Sequence, residues 1–403
     1  MINKTFLKKY EHLIFLVLDL GLNGFNYFFH IFVAWYLLPK DYGTLNSLLS
    51  FASILFVTGI SIQLLSSKIV ANENASINFD TLKNFSFKIF PLSVFFLFLL
   101  VPLISNLTKG SKISVILVIL IYFTNTYLCL LRGVFQGENK FLLINYSMYI
   151  EVLGKMLFLF LFLPKFKNIE IILLSVLLGM LSSFFLALYF NKSRLNNKEL
   201  QKGTFKDVGK EFIIIAFSNV FLFYFTSVDM IFVNQNPSMN GGIYAVVLRL
   251  CQLITFGYFS IFTLLNPWMS SKVSNMKELK KSLKRYLVLF SILNVVILLA
   301  YNFFIPILVP YLFGDKYIEA KTYLPYEGLA YVLLAMTFFA VNIFIQLSKK
   351  SHLIIISLGA ILLLLFYIFF TKTIMTMIII QIIIYSLMLL VLSLILINHI
   401  RRF

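Results

Sequence analysis

NKSRLNNKELQKGTFKDVGK, residues 191–210, is the largest polar interruption in a chain of 403 residues that is 60% hydrophobic and 12% charged. Six apolar segments precede it, at 13–37, 45–70, 86–106, 113–133, 142–163 and 169–190. Six follow, at 211–235, 243–268, 286–310, 324–347, 352–371 and 374–398. Each is about twenty residues long, the length an α-helix needs to cross ~30 Å of hydrocarbon. The expected fold class is an all-α polytopic membrane protein of twelve transmembrane helices. Its domains are a six-helix lobe over 1–190, a cytoplasmic linker over 191–210 and a second six-helix lobe over 211–403.

The net charge of +18 is explained by topology. With the amino terminus inside, the inner loops carry 24 Lys and Arg and the outer loops 8, while Lys155 and Arg249 fall within spans. That bias is the positive-inside pattern, with both termini cytoplasmic, and it needs no nucleic-acid partner. The basic connectors 191–210 and 272–285 read as surface segments that anchor to anionic lipid. Lys4, Lys8 and Lys9 precede an apolar stretch too long for a secretory signal and followed by no small-x-small site, so an uncleaved first helix is expected. Cys129 and Cys251 lie in spans and read as buried free thiols.

A weak internal repeat supports the division into halves. Pro102 and Pro310 lie near the ends of the third and ninth spans, 208 residues apart. Gln136 and Gln346 close the fourth and tenth, 210 apart, each followed four residues on by a lysine. Gly43 and Gly242 open the second and eighth, 199 apart. Because each half holds an even number of spans, the halves share one orientation and are related by an axis along the membrane normal.

Larger stretches carry a family resemblance. They are LPKDYGTLNSLLSFASILFVTGISIQLLSSKIVA (38–71), LRGVFQGENKF (131–141), DMIFVNQNPSMNGGIYAVVLRL (229–250), NPWMSS (266–271) and LFGDKYIEAKTYLP (312–325). In order and spacing the chain resembles the Wzx-type oligosaccharide flippases of polysaccharide biosynthesis. Their superfamily also holds the multidrug and toxin extrusion (MATE) transporters and the lipid II flippases. The resemblance implies a MATE-like pair of lobes around a central cavity. It also implies a cargo, undecaprenyl-pyrophosphate-linked oligosaccharide, moved from the inner to the outer leaflet of a bacterial cytoplasmic membrane by alternating access.

Such a cargo sets a physical demand. A diphosphate and a glycan cannot cross hydrocarbon unaided, because buried unpaired polar groups cost several kcal/mol each. Ionisable residues inside spans are therefore the candidate site. Arg249 leads, with Gln252 about one turn on, because a guanidinium fork can bind phosphate oxygens in pairs; snorkelling or a structural ion pair is the competing reading. Asp19, Asn23 and Asn26 share a face of the first span and with Gln63 suit one wall of a cavity, against a stripe used only for interhelical hydrogen bonds. Arg132 suits the cytoplasmic entry or a positive-inside anchor. Asp229 and His30, each 13 residues before Gly242 and Gly43, are the ion-coupling candidates. Asp229 is equally readable as the partner of Arg249, and His30 as a structural or interfacial residue. Glu151 and Lys155, four apart, read as a structural ion pair. Glu327 reads as exposed at the outer mouth or paired with Lys321.

No Walker A segment, dinucleotide loop, metal-spaced Cys/His cluster or nucleophile elbow is present. No cofactor or metal is expected, coupling being to a proton or sodium gradient. A membrane glycan polymerase or ligase would be expected to carry a long outer loop, and the longest here, around 311–323, is about a dozen residues. A multidrug exporter is the nearer alternative, separated by cargo: cationic drugs suit acidic cavities, diphosphate lipids cationic ones. Expected partners are the lipid-linked oligosaccharide, membrane lipids and other polysaccharide-assembly proteins.

Overall fold

A chain immersed in hydrocarbon must satisfy every backbone N–H and C=O internally, and a helix does so within one segment. The computed structural model describes all residues except 1–3, 73–76, 197–202, 273–275, 347–350 and 402–403. Side chains of some helical stretches, among them 4–17, 19–20 and 259–286, lie outside the described residues as well.

The α-helices are α1 (Lys4–Tyr36), α2 (Pro39–Ala71), α3 (Phe79–Leu99), α4 (Val101–Thr108), α5 (Lys112–Gly137), α6 (Phe141–Phe166), α7 (Ile169–Asn196) and α8 (Phe205–Phe225). They continue with α9 (Val228–Gln235), α10 (Gly241–Lys272), α11 (Met276–Leu299), α12 (Ile305–Phe313), α13 (Leu324–Gln346), α14 (Ser351–Phe370) and α15 (Ile374–Arg401). Among the described residues ten helical segments are long and apolar enough to cross a membrane. With α1 and α10, whose side chains are only partly described, they match the twelve expected spans, and no strand is present among the described residues.

Among the described residues fifteen α-helices make twelve spans because three spans are interrupted. The third divides at Leu100, where Pro102 occupies the second position of α4. The ninth passes through a π-helical turn, Ala300–Phe304, in which the Ile305 N–H reaches back five residues to the Ala300 carbonyl. Pro306 follows at the second position of α12. Proline has no N–H to give and its ring crowds the carbonyl four residues back, so each span breaks or bulges just ahead of it. The structural counterpart of Pro102 is thus Pro306, and Pro310 lies inside α12. The seventh span breaks without proline, at Thr226–Ser227. There the Thr226 hydroxyl donates to the Leu222 carbonyl at 3.0 Å and the Ser227 N–H to Tyr224 at 3.2 Å.

The chain divides into two compact units, Met1–Ile231 and Phe232–Phe403. In the first, α2 lies along α5, α6 along α7, and α1 along α6. The Tyr149 hydroxyl donates to the Leu18 carbonyl, Lys155 to Asn26, and Phe160 meets Phe32, so α1 and α6 run parallel, as two odd-numbered spans must. The stretch LRGVFQG owes its glycines to the α2–α5 contact. A Cβ on Gly133 would stand 2.5 Å from the Gln63 carbonyl oxygen, and one on Gly137 2.7 Å from that of Ser67. Small residues four apart let two helix backbones approach where no solvent drives them together. The Ser66 hydroxyl then reaches the Leu130 carbonyl at 3.0 Å. Gly133→Ala sets a methyl against backbone that cannot give way. The expected loss is about 1–3 kcal/mol, read as a lower melting temperature of the purified protein.

Helix α8 begins with a capping box, Thr204 and Asp207 each hydrogen-bonding the other's backbone N–H. It packs on α2 and α3: Val208 is buried, Phe212 lies 6.2 Å from Phe85 and 6.1 Å from Phe90, and Lys68 bonds Glu211 at 2.7 Å. In the second unit α13 is the central helix, packed on α10 and α15, with α14 on α15.

Candidate functional site

Polar side chains inside spans survive only where something answers them. The most complete such group in the first unit centres on Arg132 of α5. Its Nη2 donates to Glu151 Oε2 of α6 at 2.7 Å and to the Ser183 hydroxyl of α7 at 3.1 Å, and its Nε to the Ser147 hydroxyl at 2.9 Å. Ser183 donates in turn to the Ser147 carbonyl at 2.7 Å. Three helices thus meet on one guanidinium, at a place where Gly179 lets α7 approach the Glu151 carbonyl so closely that a Cβ would stand 2.4 Å from it. Arg132 is 6% exposed, which sets it inside the bundle and away from a surface anchor's position.

Glu151 therefore pairs with Arg132, and the expected i, i+4 pair with Lys155 is replaced. The Lys155 ammonium turns the other way, to Asn26 Oδ1 of α1 at 2.7 Å and over the Phe29 ring at 4.3 Å from its centroid. The physical reason is geometric: a guanidinium on a neighbouring helix offers the carboxylate a hydrogen-bonded charge with two serines completing the set, whereas Lys155 gains an amide oxygen and an aromatic face.

The remaining residues of the expected wall lie on α1 and α2. Asn23 is exposed on α1, while Asp19 lies in α1 with its side chain outside the described residues. Gln63 donates from Nε2 to Gln136 Oε1 at 3.2 Å, joining α2 to the end of α5. His30 stands edge-on to Phe29, ring centroids 5.2 Å apart. Asp229 is fully buried in the first turn of α9, directly after the break in the seventh span, and its Oδ1 accepts from the Met230 N–H at 2.8 Å. A carboxylate there lies on the electropositive end of a helix.

In the second unit Arg249 and Gln252 do share a face of α10. The guanidinium Nη1 donates to Gln252 Oε1 at 2.9 Å, and Gln252 is itself buried. Sequence reasoning missed a second polar group. Glu327 at the start of α13 is fully buried, not exposed at an outer mouth. Tyr244 of α10 donates its hydroxyl to Glu327 Oε1 at 2.9 Å, and Gln381 of α15 reaches that hydroxyl at 3.4 Å. The three residues are 83 and 137 apart in the chain, and no local pattern announces them.

Beyond the spans, Glu138 in the α5–α6 connection holds Lys140 at 2.7 Å and Arg194 at 2.9 Å. Partial burial works to raise the Glu138 carboxyl, but hydrogen bonds from Lys140 and Arg194 and their charges outweigh it and hold the group below the usual carboxylate range. A depressed folded value contributes stability above the unfolded carboxylate pKa, about 4.3, which is lost as pH falls through the folded value. Glu138→Gln is accordingly expected to lower the melting temperature slightly at neutral pH, by no more than a partly exposed ion pair contributes, and to converge with the parent as pH falls through the folded carboxyl value.

No group of three or more metal-ligating His, Cys, Asp or Glu side chains occurs among the described residues. Both cysteines are buried as free thiols.

The profile of a family described as "Polysaccharide biosynthesis protein" matches residues 12–273. No curated protein sequence matches the chain significantly. Among solved structures, an inward-facing multidrug resistance MATE family transporter of the MOP superfamily superposes with a TM-score of 0.74 at 13% identity, over 96% of this chain and 99% of that one. Lipid II flippase MurJ in an inward closed conformation gives 0.73 at 15% identity, over 95% and 87%. A MOP superfamily transporter from Pyrococcus furiosus, for which a reversed polarity of the binding pocket is said to suggest a different function, gives 0.59 at 13%, over 96% and 95%. At these identities the likeness carries the fold alone.

Proposed function

Because the chain belongs to the polysaccharide biosynthesis protein family, that of the Wzx-type flippases, we propose that it carries a polyprenyl-diphosphate-linked oligosaccharide across the bilayer. It is a multi-pass membrane protein of MATE-like fold, and its family and structural relatives are transporters or flippases. The finer reading is undecaprenyl-pyrophosphate-linked oligosaccharide passed from the inner to the outer leaflet of a bacterial cytoplasmic membrane by alternating access. It keeps both termini cytoplasmic and the lobes as 1–190 and 211–403.

The observation that carries this reading is the placing of basic side chains on neutral amide oxygens inside spans: Arg249 on Gln252, and Lys155 on Asn26. A guanidinium or ammonium held by an amide oxygen is oriented for charge-assisted hydrogen bonds of the kind that phosphate oxygens accept. The buried Asp229 is the candidate for the coupling proton or sodium ion, and His30 is the second candidate. Arg132, bound to Glu151, takes a structural part in this reading. Asp19, Asn23, Asn26, Gln63 and Gln252 are the proposed polar contacts of the glycan.

Expression in a bacterial strain lacking its own flippase tests the proposal. Surface polysaccharide should return, and resistance to cationic drugs should not rise. Drug resistance without polysaccharide would point to the multidrug exporter reading. Reporter fusions after Asn197 and after Asn240 should give opposite signals, the first cytoplasmic; equal signals would break the proposed topology.

A further inference from the structure

Helix α10 is enclosed along the stretch that carries the cargo-binding candidates. Each of residues 242–252 is buried except Arg249, which is half-buried. Three buried tyrosines tie this helix to its neighbours in the second unit. Tyr244 donates its hydroxyl to Glu327 Oε1 of α13 at 2.9 Å, and Tyr258 donates to Asn294 Oδ1 of α11 while its ring stacks on Phe290. The third is Tyr301, in the π-helical turn of the ninth span, whose hydroxyl donates to the Leu250 carbonyl of α10 at 2.5 Å.

Tyr301 differs from the other two in where it acts. Its acceptor is main chain and belongs to the residue directly after Arg249. A carbonyl oxygen has two lone pairs, so Leu250 can take this hydroxyl and still serve the helical ladder. Such a bond fixes the rotation of the helix itself, because α10 turns by about 100° per residue and the carbonyl turns with it. Tyr301 is held from behind as well. Gly328 of α13 lies so close that a Cβ there would stand 3.0 Å from Cβ, Cγ and Cδ1 of the tyrosine, which is 5% exposed. A ring wedged in this way aims its hydroxyl at one place.

We propose that Tyr301 is a positioning residue for transport: from the π turn it holds the Leu250 carbonyl, and so sets the rotation of α10 that presents Arg249 to the diphosphate of the cargo. This rests on the role proposed for Arg249 above. Gln252 then orients the guanidinium on its helix, and Tyr301 orients the helix.

The test uses the full chain in phosphatidylcholine nanodiscs and a fluorescent polyprenyl diphosphate as the probe. Tyr301→Phe keeps the ring against Gly328 and removes the hydrogen bond. Probe affinity should fall about five- to ten-fold, with the melting temperature close to the parent's. In an Arg249→Lys background the same change should cost less than two-fold, because a flexible ammonium gains little from an exact aim, and this coupling is what a merely structural role would not produce. Gly328→Ala, which pushes on the ring from α13, should reproduce the pattern, and serves if Tyr301→Phe folds poorly. An equal loss in both backgrounds, accompanied by a lower melting temperature, would make Tyr301 a packing residue only and overturn the proposal. Unchanged affinity in Tyr301→Phe while Arg249→Lys weakens binding would overturn it too and keep the role of Arg249. Equal probe binding by the parent and Arg249→Ala would overturn both.

Discussion

Arg132→Ala is expected to destabilise the protein by about 3–5 kcal/mol, the usual consequence of leaving one member of a buried ion pair without the other. The change strands the Glu151 carboxylate between α5, α6 and α7, and removes the donor that joins the Ser147 and Ser183 hydroxyls. Lower yield of folded protein and a reduced melting temperature would follow, along with lost transport. Glu151→Gln alone should cost less, because a neutral amide still accepts from the guanidinium. The double change Arg132→Met with Glu151→Met removes both charges and should recover much of the stability, since an ion pair exchanged for apolar packing of similar volume is often neutral or better. If Arg132→Ala folds and melts like the parent while transport fails, Arg132 acts on cargo and its structural assignment is wrong.

The second large effect is at Arg249. If its guanidinium, oriented by Gln252, binds diphosphate oxygens through paired hydrogen bonds, Arg249→Ala should abolish transport at normal protein level and Arg249→Lys should reduce it partly. Lysine keeps the charge but loses the planar fork, and each charge-assisted hydrogen bond contributes about 1.5–3 kcal/mol. Gln252→Ala should fall between, weakening orientation without removing charge. Complementation with each variant, checked against protein level by immunoblot, reads the series. Wild-type function of Arg249→Ala would eliminate the binding role.

The spans were legible because each is a single apolar window bounded by charge, and a window of that length in hydrocarbon has one backbone solution. Two of the three interruptions had a visible cause, Pro102 and Pro306, although counting from span ends had matched Pro102 to Pro310 instead. The third, at Thr226–Ser227, has no breaker residue and left no trace in the pattern. The site was less legible for a related reason. Periodicity reports which residues share a face of one helix, so Arg249 with Gln252 was visible. It does not report what lies across from that face, so the choice of Glu151 between Lys155 four residues away and Arg132 on another helix was not. Glu327 was misjudged because its place near a helix start suggested water. Its burial depends on Tyr244 and Gln381, contributed by two helices remote in sequence.

The glycines tell the same story from the other side. LRGVFQG reads in sequence as part of a family resemblance, and only the approach of α2 explains why Gly133 and Gly137 tolerate no side chain. Gly179 likewise lies hard against the Glu151 carbonyl.

Translocation by the purified protein is the most direct measure of the central claim. The chain is reconstituted into liposomes with a fluorescent polyprenyl-diphosphate oligosaccharide that starts in the inner leaflet. A membrane-impermeant glycosidase outside reports its arrival. Cargo should become cleavable faster than in empty liposomes, Arg249→Ala should return the rate to that background, and an imposed proton or sodium gradient should change it. A rate indistinguishable from empty liposomes under either gradient, in vesicles where the same protein moves a cationic dye, would contradict the claim.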